Sequence, residues 1–180
     1  DLRALMIQLE HQPATGADRF ADLANISHEL AAQLSEHLVG HIMPFWCGSA
    51  VDQRHGGWMA WLANDLTPDR TQPKGLIVHS RILWAFSAVH QVRPRPEYRQ
   101  MAIRAFNYLM LRFWDVEHGG AFWHLNDQGE VWDDAKKTYG QAFCLYALTE
   151  FHRAFGSKQA LERAQELFGW IEQHAHDPKH

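Results

Sequence analysis

Asp52-Gln-Arg-His55-Gly56-Gly57 is followed 63 residues later by Asp115-Val-Glu-His118-Gly119-Gly120, and 62 residues further on the chain reads Asp177-Pro-Lys-His180. A motif met three times at nearly equal spacing is an internal repeat, each copy of which buries its apolar face against its neighbours. Lys74 and Lys137 hold the same 63-residue register beyond the glycines.

After the first Gly-Gly, Trp58 to Leu62 reads as a short strand and a polar stretch runs to Pro73. Lys74 to Val92 reads as a helix whose middle, RILWAFSAV, is apolar nearly all round, as in a helix buried on several sides. Pro94 and Pro96 break it, and Glu97 to Phe113 follows as a two-faced helix. Its apolar stripe is Met101, Ala102, Ala105, Phe106, Leu109 and Phe113, with Arg99, Gln100, Arg104, Asn107 and Arg112 turned away.

The second copy keeps the order. Ala121 to Leu125 reads as a strand, Asn126 to Gly129 as a turn and Glu130 to Trp132 as the returning strand. Lys137 to Phe155 is the second buried helix, Gly156 its C-terminal cap, and Ser157 the cap of a two-faced helix along Ala160, Leu161, Ala164, Leu167, Phe168 and Ile171. Phe20 to His41 supplies an earlier two-faced helix. Alternating two-faced and buried helices imply outer helices wrapped around inner ones, and a ring of such pairs is an all-α toroid. Six units of this length need roughly 370 residues, so the repeat implies a fragment of such a ring.

Composition excludes several classes. The 180 residues are 46% apolar with a net charge of −4, and without a Lys/Arg stripe nucleic acid is not an expected partner. The longest apolar run, Ile82 to Val89, is too short to span a bilayer. Two cysteines, Cys47 and Cys144, fit a reducing, cytoplasmic setting. No Walker loop, nucleophile elbow or Cys-x-x-Cys is present, so no cofactor is expected.

Arg81 is the sharpest single signal, a charge within an otherwise apolar helix. Either it is a structural ion pair with a carboxylate such as Asp115 or Glu150, or it points into the central cavity toward an electron-rich ligand. Tyr139 starts the next inner helix, where its 63-residue counterpart is Leu76, nearer the cavity mouth. The hairpin aromatics Trp58, Trp61, Phe122, Trp123 and Trp132 suit either sugar faces or packing. Lys74 and Lys137 are expected to pair locally, for example with Asp133 or Asp134. His37 and His41 have the i, i+4 spacing of metal ligands but lack the Glu of His-Glu-x-x-His and a third ligand, so no metal is expected. The recurring His55, His118 and His180 point to a role in the turn. His79 lies two residues before Arg81, about 200° around the helix, and cannot share its face.

HIMPFWCGSAVDQRHGGW (41–58), KGLIVHSRILWAFS (74–87), GGAFWHLNDQGEV (119–131), KKTYGQAFCLYALTEFHRAFG (136–156) and ALERAQELFGWIE (160–172) closely resemble cellobiose 2-epimerases of the N-acylglucosamine 2-epimerase superfamily. The resemblance runs from about His37 to the end; it leaves residues 1–25 as an unassigned N-terminal extension and implies that 26–180 are the N-terminal half of the barrel. It implies an (α/α)6 barrel and cofactor-free inversion at C2 of a reducing-end sugar, with two histidines passing the C2 proton through an enediolate. That histidine pair has no counterpart in this chain. The site residues it does carry over are Arg81, as an oxyanion stabiliser, and Tyr139, as a hydroxyl ligand, and Trp58 is taken as a substrate contact. Rival readings are an aldose–ketose isomerase of the same superfamily, an (α/α)6 glycoside hydrolase, which would need two carboxylates across the cavity, and a non-catalytic sugar- or partner-binding toroid.

Overall fold

The computed structural model describes residues 16–175, which leaves Asp177 and His180 outside the described residues. The chain divides into two units, residues 1–45 and 46–180. The first contains helix α1 (Gly16–His37) and the π turn that continues it (Leu38–Ile42), and the division falls within the short α2 that follows (Met43–Cys47). α1 runs unbroken across the boundary drawn at residues 25 and 26.

The second unit is built from β1 (Lys74–Gly75), α3 (Leu76–Val92), α4 (Pro96–Tyr108), β2 (His124–Leu125), β3 (Val131–Asp133), α5 (Thr138–Phe155) and α6 (Lys158–Ala175). A π turn, Leu109–Phe113, closes α4. α3 packs on α5, α4 on α3, and α6 on α5, which gives the expected two layers. The apolar patterns assign the layers. Leu76, Ile82, Leu83, Phe86 and Val89 bury more than one face of α3, whereas α4 buries the single stripe of Tyr98, Ala102, Ala105 and Phe106. Alanines at the contacts, among them Ala102, Ala105, Ala147 and Ala160, bring the helix axes close, and Phe106 stacks on Phe151 with centroids 4.7 Å apart.

The termini follow local chemistry. Pro96 occupies the first turn of α4, where its missing N–H costs nothing. Gly156, at φ 67°, ends α5 in the left-handed conformation. Ser157 Oγ accepts from Ala160 N at 3.2 Å and caps α6.

The strands differ from expectation. Trp58–Leu62 forms no strand, only the single bridges Val51–Trp58 and Leu62–Pro68. The Trp58 N–H goes to the His79 ring instead, at 3.2 Å, so no ladder can propagate there. Lys74–Gly75, expected as the first helical turn, is a strand. It pairs with β2, which pairs in turn with β3 across the expected Asn126–Gly129 turn. This small antiparallel sheet, in the order β1-β2-β3, fastens the first repeat to the second.

Candidate functional site

Both described Asp-x-x-His loops have one geometry. Asp52 Oδ1 accepts from the backbone N–H of Arg54 and His55, at 2.9 and 3.1 Å, and Asp115 Oδ1 from Glu117 and His118, at 2.9 and 3.0 Å. Gly57 O and Gly120 O accept the aspartate N–H groups at 3.1 and 2.9 Å. The glycines are obligatory at Gly57, where φ is +65° and a Cβ would stand 2.6 Å from the Tyr108 ring. In both loops the histidine donates its backbone N–H to the turn, while the His55 ring reaches Asp127 and the His118 ring is exposed.

The lysine partners require a correction. Lys74 reaches neither Asp133 nor Asp134; its Nζ lies 2.7 Å from Asp52 Oδ2 and 2.9 Å from Gly56 O, with the side chain 1% exposed. In the second repeat the equivalent ion pair is Lys136 Nζ to Asp115 Oδ2, 2.6 Å, while Lys137 rides over the Trp123 ring at 4.3 Å. Burial alone would raise the Asp52 pKa, but the Lys74 hydrogen bond, the two backbone N–H groups and the Lys74 charge bring it down to about 2. Asp115 is lowered as well: burial opposes, and Lys136 with the two amides outweighs it.

The second repeat thus has one residue fewer between loop and inner helix. Lys74 corresponds to Lys136, His79 to Gln141 and Ile77, rather than Leu76, to Tyr139. Four residues then separate Tyr139 from the level of Arg81, about 6 Å along the helix. His79 and Gln141 do the same work: His79 Nε2 accepts from Trp58 N at 3.2 Å, and Gln141 Oε1 from Ala121 N at 2.8 Å. His79 Nδ1 lies 2.9 Å from Gly75 O, so Nδ1 carries the proton and donates it there.

Burial first, with Lys74 adding to it, pulls the His79 pKa from 6.5 to about 4 against the opposing Gly75 bond. Between these values the unfolded chain binds the proton and the folded one does not, so stability is complete above the unfolded pKa and falls as pH drops toward 4. The full loss is about 3 kcal/mol. His79→Gln, copying Gln141, is expected to retain the fold at pH 7 and to flatten the stability profile between pH 6.5 and 4. Urea unfolding across that range checks it; an equally steep profile in the variant would assign the acid sensitivity elsewhere.

The carried-over residues take different positions. Arg81 is exposed and forms no hydrogen bond or ion pair among the described residues. The pairing considered with Asp115 or Glu150 does not occur, because Asp115 holds Lys136 while Glu150 binds Gln91 and Arg153. Helix direction is the reason: Arg81 leaves α3 on a face shared with the exposed Val78 and Ala85, while His79 is buried on another. Tyr139 is 63% exposed in the first turn of α5 and meets the Phe143 ring edge-on at 4.9 Å. Trp58 is corrected. It is 0% exposed, its Nε1 donates to Trp46 O at 2.8 Å, and no edge of the ring is open to stacking. Of the hairpin tryptophans, Trp61 and Trp132 are the exposed ones.

Sequence reading missed two features. Trp84 and Tyr146, at equivalent positions of α3 and α5, stack at 5.2 Å and 16°; the 62-residue spacing could have paired them. The other is a knot of charge joining the repeats. His55 Nδ1 lies 2.8 Å from Asp127 Oδ2, and Arg70 Nη1 lies 2.9 Å from Asp127 Oδ1 and 3.5 Å from Asp52 Oδ2. No spacing marks Asp127 or Arg70, which come together only through the fold.

Asp52, His55 and Asp127 offer ligand atoms within 4.8 Å of one another, close enough for a cation. Arg70 and Lys74 already neutralise the two carboxylates, so an added cation would have to displace them. His37 and His41 have rings 5.2 Å apart, with no third ligand among the described residues. Exhaustive chelation is expected to leave melting temperature and activity unchanged; a loss restored by zinc or manganese would reverse that reading.

The profile of the N-acylglucosamine 2-epimerase (GlcNAc 2-epimerase) family matches residues 56–180. The chain belongs to this family. Cellobiose 2-epimerase of Bacteroides fragilis is 40% identical over 148 residues, which cover 82% of this chain and 38% of that protein. The structure of cellobiose 2-epimerase from Spirochaeta thermophila superposes with a TM-score of 0.77 at 38% identity, over 81% of this chain and 36% of that one. That from Bacillus thermoamylovorans gives 0.80 at 33% identity, over 84% and 39%. The two described repeats are therefore part of the family's (α/α)6 toroid, and the chain spans somewhat over a third of the relatives it matches.

Proposed function

We propose that the protein to which these repeats belong is a sugar 2-epimerase acting on a cellobiose-type disaccharide. The similarity to cellobiose 2-epimerases across four fifths of the chain supports it. The observation that carries the reading to particular residues is Arg81, an unpaired guanidinium on the open face of the inner helix α3. Residues 26–180 would form the N-terminal half of the barrel, with Arg81 and Tyr139 on its sugar-binding side.

In this mechanism the sugar ring opens, one histidine takes the C2 proton, and a second returns it to the opposite face. Negative charge collects on the carbonyl oxygen as the C2 proton leaves. A fixed guanidinium stabilises that charge more than it stabilises the neutral aldehyde, and this difference lowers the barrier. Tyr139 would hold a sugar hydroxyl. The histidine pair is assigned to none of this chain's residues: His79 is buried and fully hydrogen-bonded, and His55 and His118 belong to the turns.

The test is incubation of the complete protein to which these repeats belong with cellobiose in D2O. Deuterium at C2 together with the C2-inverted aldose is expected. Accumulation of a ketose would favour an aldose–ketose isomerase, and binding without exchange would favour a non-catalytic toroid.

A further inference from the structure

A groove of about 480 Å³ lies on the first repeat, between the Asp-x-x-His loop at His55–Gly57 and the side of α4 that carries Arg104, Tyr108 and Arg112. We propose that it binds a small oxyanion, a carboxylate or a phosphate. The site is separate from the face of α3 assigned to the sugar, since α4 belongs to the outer layer.

The charge balance favours an anion. Behind the groove the carboxylates of Asp52 and Asp127 are matched by Lys74 and Arg70. No acidic residue lines the groove itself, and neither Arg104, which lies over the Trp58 ring, nor Arg112 forms an ion pair among the described residues. Arg104 uses one Nη2–H on Asp52 O, at 2.8 Å, and its buried Nε has no acceptor.

A third donor is also unused. Tyr108 is 7% exposed, yet its hydroxyl has no hydrogen-bond partner among the described residues. Burial before all else pushes its pKa up to about 12, so the proton stays in place. A buried hydroxyl left unpaired is costly, and such groups are normally satisfied. The hydroxyl and Arg112 both lie against Gly129, where a Cβ would stand 3.1 Å from Tyr108 Oη and 3.7 Å from Arg112 Nε. The Tyr108 ring is fixed by stacking on His79, with centroids 5.1 Å apart, and by the bare faces of Gly56 and Gly57. The Tyr108 hydroxyl is therefore held in place by its ring.

The second repeat separates packing from binding. Sixty-two residues on, Tyr108 becomes Trp170, Arg104 becomes Glu166 and Arg112 becomes His174. Trp170 still covers its loop glycine, at 3.1 Å from a Cβ on Gly119, but its Nε1 is already used on His118 O at 3.2 Å. Covering the loop thus needs an aromatic ring, not two arginines and an unpaired hydroxyl. Guanidinium forks and a phenol are the donor set that carboxylate and phosphate oxygens accept.

Calorimetric titration of the full chain with inorganic phosphate, and separately with acetate and citrate, all at constant ionic strength, tests the proposal. One saturable site in the millimolar range is expected. Phosphate alone binding would identify the ligand as a phosphate, and acetate or citrate alone as a carboxylate. Arg112→Gln should weaken the site about tenfold and Tyr108→Phe, which keeps the ring packing, severalfold. Arg99→Gln, on α4 over the Phe155 ring, should leave it unchanged. Absence of saturable binding, wild-type affinity in both groove variants, or equal weakening by Arg99→Gln would overturn it. Either result is independent of C2 exchange, so the sugar reading stands or falls separately.

Discussion

Arg81→Ala is expected to lower kcat of the complete enzyme about 100-fold or more, about 3 kcal/mol of transition-state stabilisation, with a smaller change in KM. In the proposed mechanism the charge it would meet develops only as the C2 proton leaves, so ground-state binding of the sugar would lose less. Lysine should rescue poorly, because a point charge does not reproduce the planar two-pronged donor. The structure sharpens this test. Arg81 has no ion-pair partner among the described residues and is exposed, so its removal should scarcely move the melting temperature. Melting and C2 deuterium exchange measured on one preparation separate the roles; normal exchange in the alanine variant would remove Arg81 from the site.

The largest loss of stability should come from Lys74→Met. Asp52, 0% exposed, would keep its charge without its ammonium partner, and Gly56 O would lose a donor. Breaking one half of a buried ion pair costs about 3–5 kcal/mol. Lys136→Met should cost less, because Lys136 is 16% exposed and water can reach the orphaned carboxylate. The double variant Lys74→Met with Asp52→Asn should recover part of the loss, since asparagine can still accept from the Arg54 and His55 amides. Urea unfolding of the three variants measures this. A Lys74→Met loss under about 1 kcal/mol would mean that Arg70, 3.5 Å from the same carboxylate, replaces it.

These two residues mark what sequence reading singled out and where it stopped. Arg81 was visible because a charge interrupts an apolar helix. Its surroundings were not, because helical period alone does not tell a covered face from an open one. Lys74 was visible only as a cation at a helix start, since nothing local connects it to Asp52, 22 residues back. Trp58 misled for a related reason: a tryptophan beside Gly-Gly reads equally as a ligand platform or as packing, and only burial separates the two.

By itself the sequence determined the repeat, the order of its helices and their division into inner and outer layers. Each follows from periodicity and short-range chemistry: an all-round apolar helix must be covered, a striped one must cover, and Gly156 and Ser157 act within one turn of where they stand. The tertiary structure alone decided the one-residue slip that exchanges Lys137 for Lys136. It decided the strand at Lys74–Gly75, the His55–Asp127–Arg70 knot, and the convergence of Tyr108 and Arg112 beside Gly129. These depend on which distant groups meet once the layers pack, and the geometry of a contact between residues 20 to 60 positions apart is written in neither of its ends.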